Sequence, residues 1–103
     1  MLPEKRSPTH PGEILLEDFL KPANITQKQF AIHMNWTFAR VNELVNHKRG
    51  VSADTALGLS ESFGNTPEFW LNLQNNWDLW HAKQSHAPKS RIIDNNDSKR
   101  IIN

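Results

Sequence analysis

Four hydroxyl side chains punctuate the chain. Thr26, Thr37, Ser52 and Thr66 each stand just before a stretch whose apolar residues recur at helical spacing. A hydroxyl in that place accepts a hydrogen bond from a free N–H of a helix's first turn, so each one marks a helix start. The stops are as regular: Pro22, Asn35, Gly50 and Gly64 fall where the apolar stripes end. Pro cannot continue a helix, and Gly or Asn tolerates the left-handed conformation that closes one. No stretch alternates apolar and polar residues long enough to read as a strand. The chain is therefore expected to be all-α with five helices.

The first helix is predicted from Pro11, which tolerates the first helical position, to about Lys21, with Leu15/Phe19 and Leu16/Leu20 paired at i, i+4. The second presents Phe30, Ala31 and Met34 and ends near Asn35. The third turns Val41, Leu44 and Val45 inward. The fourth offers a stripe of Ala53, Ala56, Leu59, Ser60 and Phe63, and the fifth runs from Pro67 to about Lys83. These helices make one folded domain over residues 10–83, preceded by a polar arm at 1–9. A polar, aperiodic basic tail at 84–103 is expected to be disordered.

Composition narrows the function. The longest apolar runs are three residues, Ile14-Leu15-Leu16 and Phe69-Trp70-Leu71. A membrane helix needs roughly 20 and a signal-peptide core about 7–15, so a soluble cytoplasmic protein is expected. With no cysteine there is no disulfide, thiolate metal site or thiol nucleophile. His10, His33, His47, His81 and His86 show no i, i+3 or i+4 pairing and no zinc-ligand spacing, so they read as surface or capping residues, with no metal and no cofactor expected. Glu17-Asp18 is an adjacent carboxylate pair on an exposed face, and no nucleophile–base constellation stands out, so no enzyme is expected.

The net charge is only +1, yet its distribution is uneven. Residues 24–51 carry Lys28, Arg40, Lys48 and Arg49 against Glu43 alone, a net +3, whereas residues 52–82 hold Asp54, Glu61, Glu68 and Asp78 with no Lys or Arg, a net −4. The basic block favours a polyanion partner, and it coincides with a distinctive spacing. Two short capped helices separated by a break at Asn35-Trp36 have the arrangement of a helix-turn-helix over residues 26–46, in which the second helix enters the major groove. Thr37, which also caps the helix, and the outward residues Phe38, Ala39, Arg40, Asn42 and Glu43 are the candidate base readers: Arg suits guanine, Asn adenine, Glu the cytosine amino group, and Phe or Ala a thymine methyl. Gln27, Lys28, Asn46, Lys48 and Arg49 suit phosphate contacts.

In the fifth helix, Trp70, Leu73, Trp77 and Trp80 fall on one continuous face, widened by Phe69 and Leu71. Part of that face is expected to dock on the core. The remainder, Phe69, Trp70, Leu73, Trp77 and Trp80, is expected to form a two-fold dimer interface over the helix at 67–83, setting two recognition helices one DNA turn, about 34 Å, apart.

The segment from Thr26 to Gly50 resembles the Xre, or phage-repressor-like, class of helix-turn-helix, with Thr26-Gln27, Ala31, Thr37 and Asn46-x-Lys48 at the class's familiar positions. The flanks HPGEIL (10–15), GVSADTALGLSESFGNTPEFWLNLQ (50–74) and WDLW (77–80) are similar to HigA/VapI-type antitoxins, and the likeness covers residues 10–83. It implies a five-helix, lambda-repressor-like DNA-binding domain. It also implies a homodimer on operator DNA in its own promoter and neutralisation of a HigB-type ribosome-dependent mRNA interferase toxin. The family often has glycine where Asn35 and His47 stand, and phage repressors use a polar residue where Phe38 stands. The alternatives are a stand-alone Xre-family regulator with no toxin and a helical adaptor that binds protein only.

Overall fold

The computed structural model describes residues 6–86. Residues 1–5 and 87–103, and with them most of the expected arm and tail, lie outside the described residues. Among those described there is no strand, and five helical elements follow one another. Helix α1 (Pro11–Ile14) runs on into a π-helical segment (Leu15–Leu20), followed by α2 (Gln27–Met34), α3 (Phe38–Val45), α4 (Ala53–Phe63) and α5 (Pro67–Ser85).

The hydroxyl caps hold at every element after the first, whereas the stop expected at Gly50 comes earlier: α3 ends at Val45 and the chain turns at His47, with φ 63°. The hydroxyls of Thr26, Thr37, Ser52 and Thr66 accept from the backbone N–H three residues on, at 3.0, 3.1, 3.3 and 3.2 Å. Asn35 and Gly64 close α2 and α4 in the left-handed region, at φ 57° and 71°. α1 differs. His10 is its cap, with Nδ1 accepting from Gly12 N at 2.9 Å. The chain then widens into i→i+5 bonding, seen in Lys21 N to Leu16 O at 2.9 Å. Within this segment Leu15 and Leu20 are fully buried, and Leu16 and Phe19 pack against the core beside them, so all four residues of the expected i, i+4 pairs face inward.

α2 packs on α3, α4 on α5, and α1 touches both α3 and α5. The rings of Phe19, Phe30, Phe63 and Trp70 meet at centroid distances from 4.7 to 6.3 Å, joining the π-helical segment, α2, α4 and α5. Trp70 is 0% exposed, and its indole Nε1 donates to Asn65 Oδ1 at 2.8 Å. The expected place of Trp70 in a dimer interface is therefore corrected: it closes the core of its own chain. Leu73 also packs against that core, and Trp77 lies edge-on to His10 at 4.9 Å and to His47 at 5.7 Å. Trp80 is half-buried, with its ring 5.0 Å from that of His81. Phe69 and Leu79 are the exposed large apolar residues of α5. No helix among the described residues is long and apolar enough to cross a membrane.

Candidate nucleic-acid interface

The turn between α2 and α3 is three residues, Asn35, Trp36 and Thr37, and each has a distinct task. Asn35 supplies the left-handed step, Trp36 returns its N–H to Ala31 O at 2.9 Å, and Thr37 caps α3. α2 enters the pair through a capping box, since Gln29 Oε1 accepts from Thr26 N at 2.9 Å while Thr26 Oγ1 accepts from Gln29 N. Ala31 is buried where the helices approach most closely. So short a connection fixes the direction of an eight-residue helix that would not persist alone in water.

α3 is held on three sides. Toward α2, Asn42 Nδ2 donates to Gln27 Oε1 at 3.0 Å. Toward α4, Arg40 Nη2 donates to Thr55 Oγ1 at 2.9 Å and lies 3.6 Å from Asp54 Oδ2. Its guanidinium carbon sits 4.0 Å over the Trp36 ring. Toward α1, the buried Gly12 leaves so little room that an added Cβ would fall 1.7 Å from Leu44 O. Immediately beyond α3, His47 takes φ +63°. It stacks on His10 at 4.6 Å and lies 3.6 Å from Glu13 Oε1.

These contacts sort the candidate residues. Thr37, Phe38 and Ala39 are exposed, Phe38 by 52%. Arg40 is corrected: its side chain is only 23% exposed and is committed to Thr55, Asp54 and Trp36. A position on the flank of a helix lets a long side chain fold back onto the neighbouring helix, and the cation–π contact with desolvated hydrogen bonding draws it there. Asn42 and Gln27 are brought together as a half-buried amide bridge. Glu43 accepts two hydrogen bonds from Arg49, at 3.0 and 2.8 Å, so this base-reading candidate and this phosphate candidate are tied to each other. Asn46 donates to Asn42 O at 2.8 Å. Lys28 and Lys48 are exposed and have no ion pair among the described residues.

Sequence reasoning allowed His10 a capping role but missed its burial and its stacking on His47. Its imidazole is 2% exposed, and burial, seconded by the neighbouring His47, lowers its pKa from 6.5 to about 4. The available signal was that His10, not a Ser, Thr, Asp or Asn, stands directly before Pro11, in the cap position. The Trp36–Arg40 stack was also missed, although i, i+4 spacing permits it.

No family model matches the chain. It is 44% identical over 84 residues to Virulence-associated protein I of Dichelobacter nodosus, covering 82% of this chain and 78% of that one. To Antitoxin HigA-1 of Vibrio cholerae serotype O1 it is 39% identical over 90 residues, 86% of this chain and 84% of that one. Among solved structures, the Pseudomonas aeruginosa antitoxin HigA with the higBA promoter superimposes with a TM-score of 0.74 at 33% identity, covering 82% of this chain and 99% of that one.

Proposed function

The chain belongs to the HigA/VapI-type antitoxins of the helix-turn-helix class, and from that premise we propose that it represses its own promoter as a homodimer and neutralises a HigB-type mRNA interferase. The observation that carries the DNA-binding half is the exposed edge of α3. Thr37, Phe38 and Ala39 stand clear of the protein at the start of a clamped helix, flanked by the unpaired cations Lys28 and Lys48.

On this reading Phe38 and Ala39 meet thymine methyl groups, and Thr37 and Glu43 lie at the margins of the same groove. The Gln27–Asn42 bridge acts as a unit. Its inner hydrogen bond uses one amide donor and one acceptor, leaving the Gln27 amide N–H groups and Asn42 Oδ1 for the adenine edge. Lys28, Asn46 and Lys48 take phosphates, and Arg49 joins them where its pairing with Glu43 allows. Residues 10–83 act as one domain, with 26–46 the helix-turn-helix. The dimer surface is the exposed apolar part of α5, Phe69 and Leu79, with the half-buried Trp80 beside Leu79.

The test is fluorescence anisotropy with a duplex from the gene's upstream region at 50 and 200 mM salt, with the mass of the complex read by light scattering. Affinity should fall steeply with salt, and Lys48→Ala should lower the slope by about one. A duplex that is not bound at 50 mM salt overturns the DNA-binding reading, and a one-chain complex overturns the dimer.

A further inference from the structure

α2 and α4 enclose a groove of about 490 Å³ that the DNA-facing surface does not use. Its floor is Met34, Trp36 and Gly58. A Cβ at Gly58 would lie 2.9 Å from Met34 Cε and 3.0 Å from Trp36 Cζ2, so glycine in mid-helix is what lets these side chains lie against α4. Helix interiors disfavour glycine, and here the close approach accounts for it. Ser62 Oγ reaches Met34 Sδ at 2.9 Å and fixes the far end. The rim carries Leu57, 52% exposed, and Glu61, which is exposed and has no ion pair among the described residues. His33 completes the α2 side of the groove.

Charge separates this groove from the DNA face. It opens on the net −4 block of residues 52–82, which contains no Lys or Arg; Asp54 on its rim is paired with Arg40, and Glu61 is the rim acid left to repel phosphate. A protein that cuts RNA must itself present cations, because it holds a polyanion. We infer that the α2–α4 groove is the docking site for a cationic segment of the toxin, with an apolar side chain against the exposed Leu57 and a basic residue against Glu61. This rests on the antitoxin reading above and assigns it a surface. α2 then serves two partners, Gln27 and Lys28 at its N-terminal end facing DNA and His33 and Met34 facing the toxin, roughly 10 Å apart along the helix.

The experiment measures, by calorimetry, binding of the purified product of the neighbouring reading frame to the wild type and to Glu61→Arg, Leu57→Ser and the charge-matched control Glu68→Arg. All three positions are exposed, so folding is preserved and is checked by the melting temperature. Glu61→Arg and Leu57→Ser together should weaken toxin binding by about 100-fold with operator affinity unchanged, while Glu68→Arg should stay within about threefold. No binding by the wild type would overturn the antitoxin reading itself. Wild-type binding that both groove substitutions leave intact would overturn only the groove. So would groove substitutions that spare the toxin but dissociate the dimer, or that shift the amides of the basic segment 87–103, since these assign the groove to a second copy or to the chain's own tail.

Discussion

Replacing Gly12 by alanine tests the claim that α1 fixes the recognition helix. The new Cβ would lie 1.7 Å from Leu44 O and 2.6 Å from Leu44 C, whereas ordinary contact needs about 3.4 Å. The obstacle is backbone, and it is the backbone of α3, so no rotamer change relieves it. Either α1 or the last turn of α3 must move by a distance on the order of 1.7 Å. Overpacking of this kind costs about 1–3 kcal/mol, and a rigid carbonyl places it at the upper end. Alanine's helical advantage over glycine returns at most about 1 kcal/mol.

The net destabilisation expected for Gly12→Ala is about 2 kcal/mol. For a domain of this size each kcal/mol lowers the melting temperature by roughly 4–8 °C, so a fall of about 8–16 °C should appear in thermal melts followed at 222 nm. Gly64→Ala is the contrasting control. Nothing lies within 4 Å of its Cβ, but its φ is +71°, so its penalty of about 1 kcal/mol is conformational alone. Operator affinity should suffer in the Gly12 variant and not in the Gly64 variant. A Gly12→Ala protein that melts within 2 °C of wild type would refute the direct backbone contact and the positioning role drawn from it.

Two further outcomes follow from the site. Arg40→Ala removes a charge-assisted hydrogen bond and a cation–π contact, and should cost about 2 kcal/mol of stability. It should weaken binding to every duplex in a panel of operator variants by the same factor, and Arg40→Lys should recover little; an unchanged melting temperature with an altered order of preference would return Arg40 to the base-reading set. His10 gives a pH dependence. Its folded pKa of about 4 lies below the unfolded value of 6.5, so between them the unfolded chain binds more protons and stability rises with pH. The stabilisation is complete above pH 6.5 and is lost as the pH falls towards 4, by about 3 kcal/mol. His10→Asn, which can still cap, should flatten this profile in urea melts, and an equally steep profile in that variant would remove His10 as its source.

The fold was legible wherever a local rule decides the backbone. Hydroxyl caps and left-handed stops act within three residues, so Thr26, Asn35, Thr37, Ser52, Gly64 and Thr66 could be read directly. What was not legible depends on residues distant in sequence. The π-helical segment carries no such local mark, and Gly12 is required by a carbonyl in α3, 32 positions away. The aromatic stripe of α5 shows the same limit. Periodicity gives the direction of an apolar face without its partner, so Trp70 read as well for an interface as for the core that in fact encloses it. Arg40 was misplaced because a helical projection fixes the Cβ, while four further torsions decide where the guanidinium goes.

The way α3 is restrained bears on what it can recognise. An eight-residue helix gains little from its own hydrogen bonds, so its order comes from Arg40 on α4, Asn42 on α2 and Leu44 against Gly12 on α1. Ordering paid in the free protein is not charged again on binding, which favours a preformed recognition surface. The restraint also uses up the longest polar side chains. With Arg40 turned inward and Glu43 paired with Arg49, the exposed edge retains a hydroxyl, a phenyl and a methyl beside one amide bridge. Such a set has no fork for guanine and discriminates through thymine methyl groups and the adenine edge. A good bidentate pair contributes about 1–3 kcal/mol of discrimination, so on the proposed reading a module with so few of them gains its operator selectivity from a second, symmetry-related copy. The sparse α3 edge and the apolar surface left on α5 both support the proposed dimer.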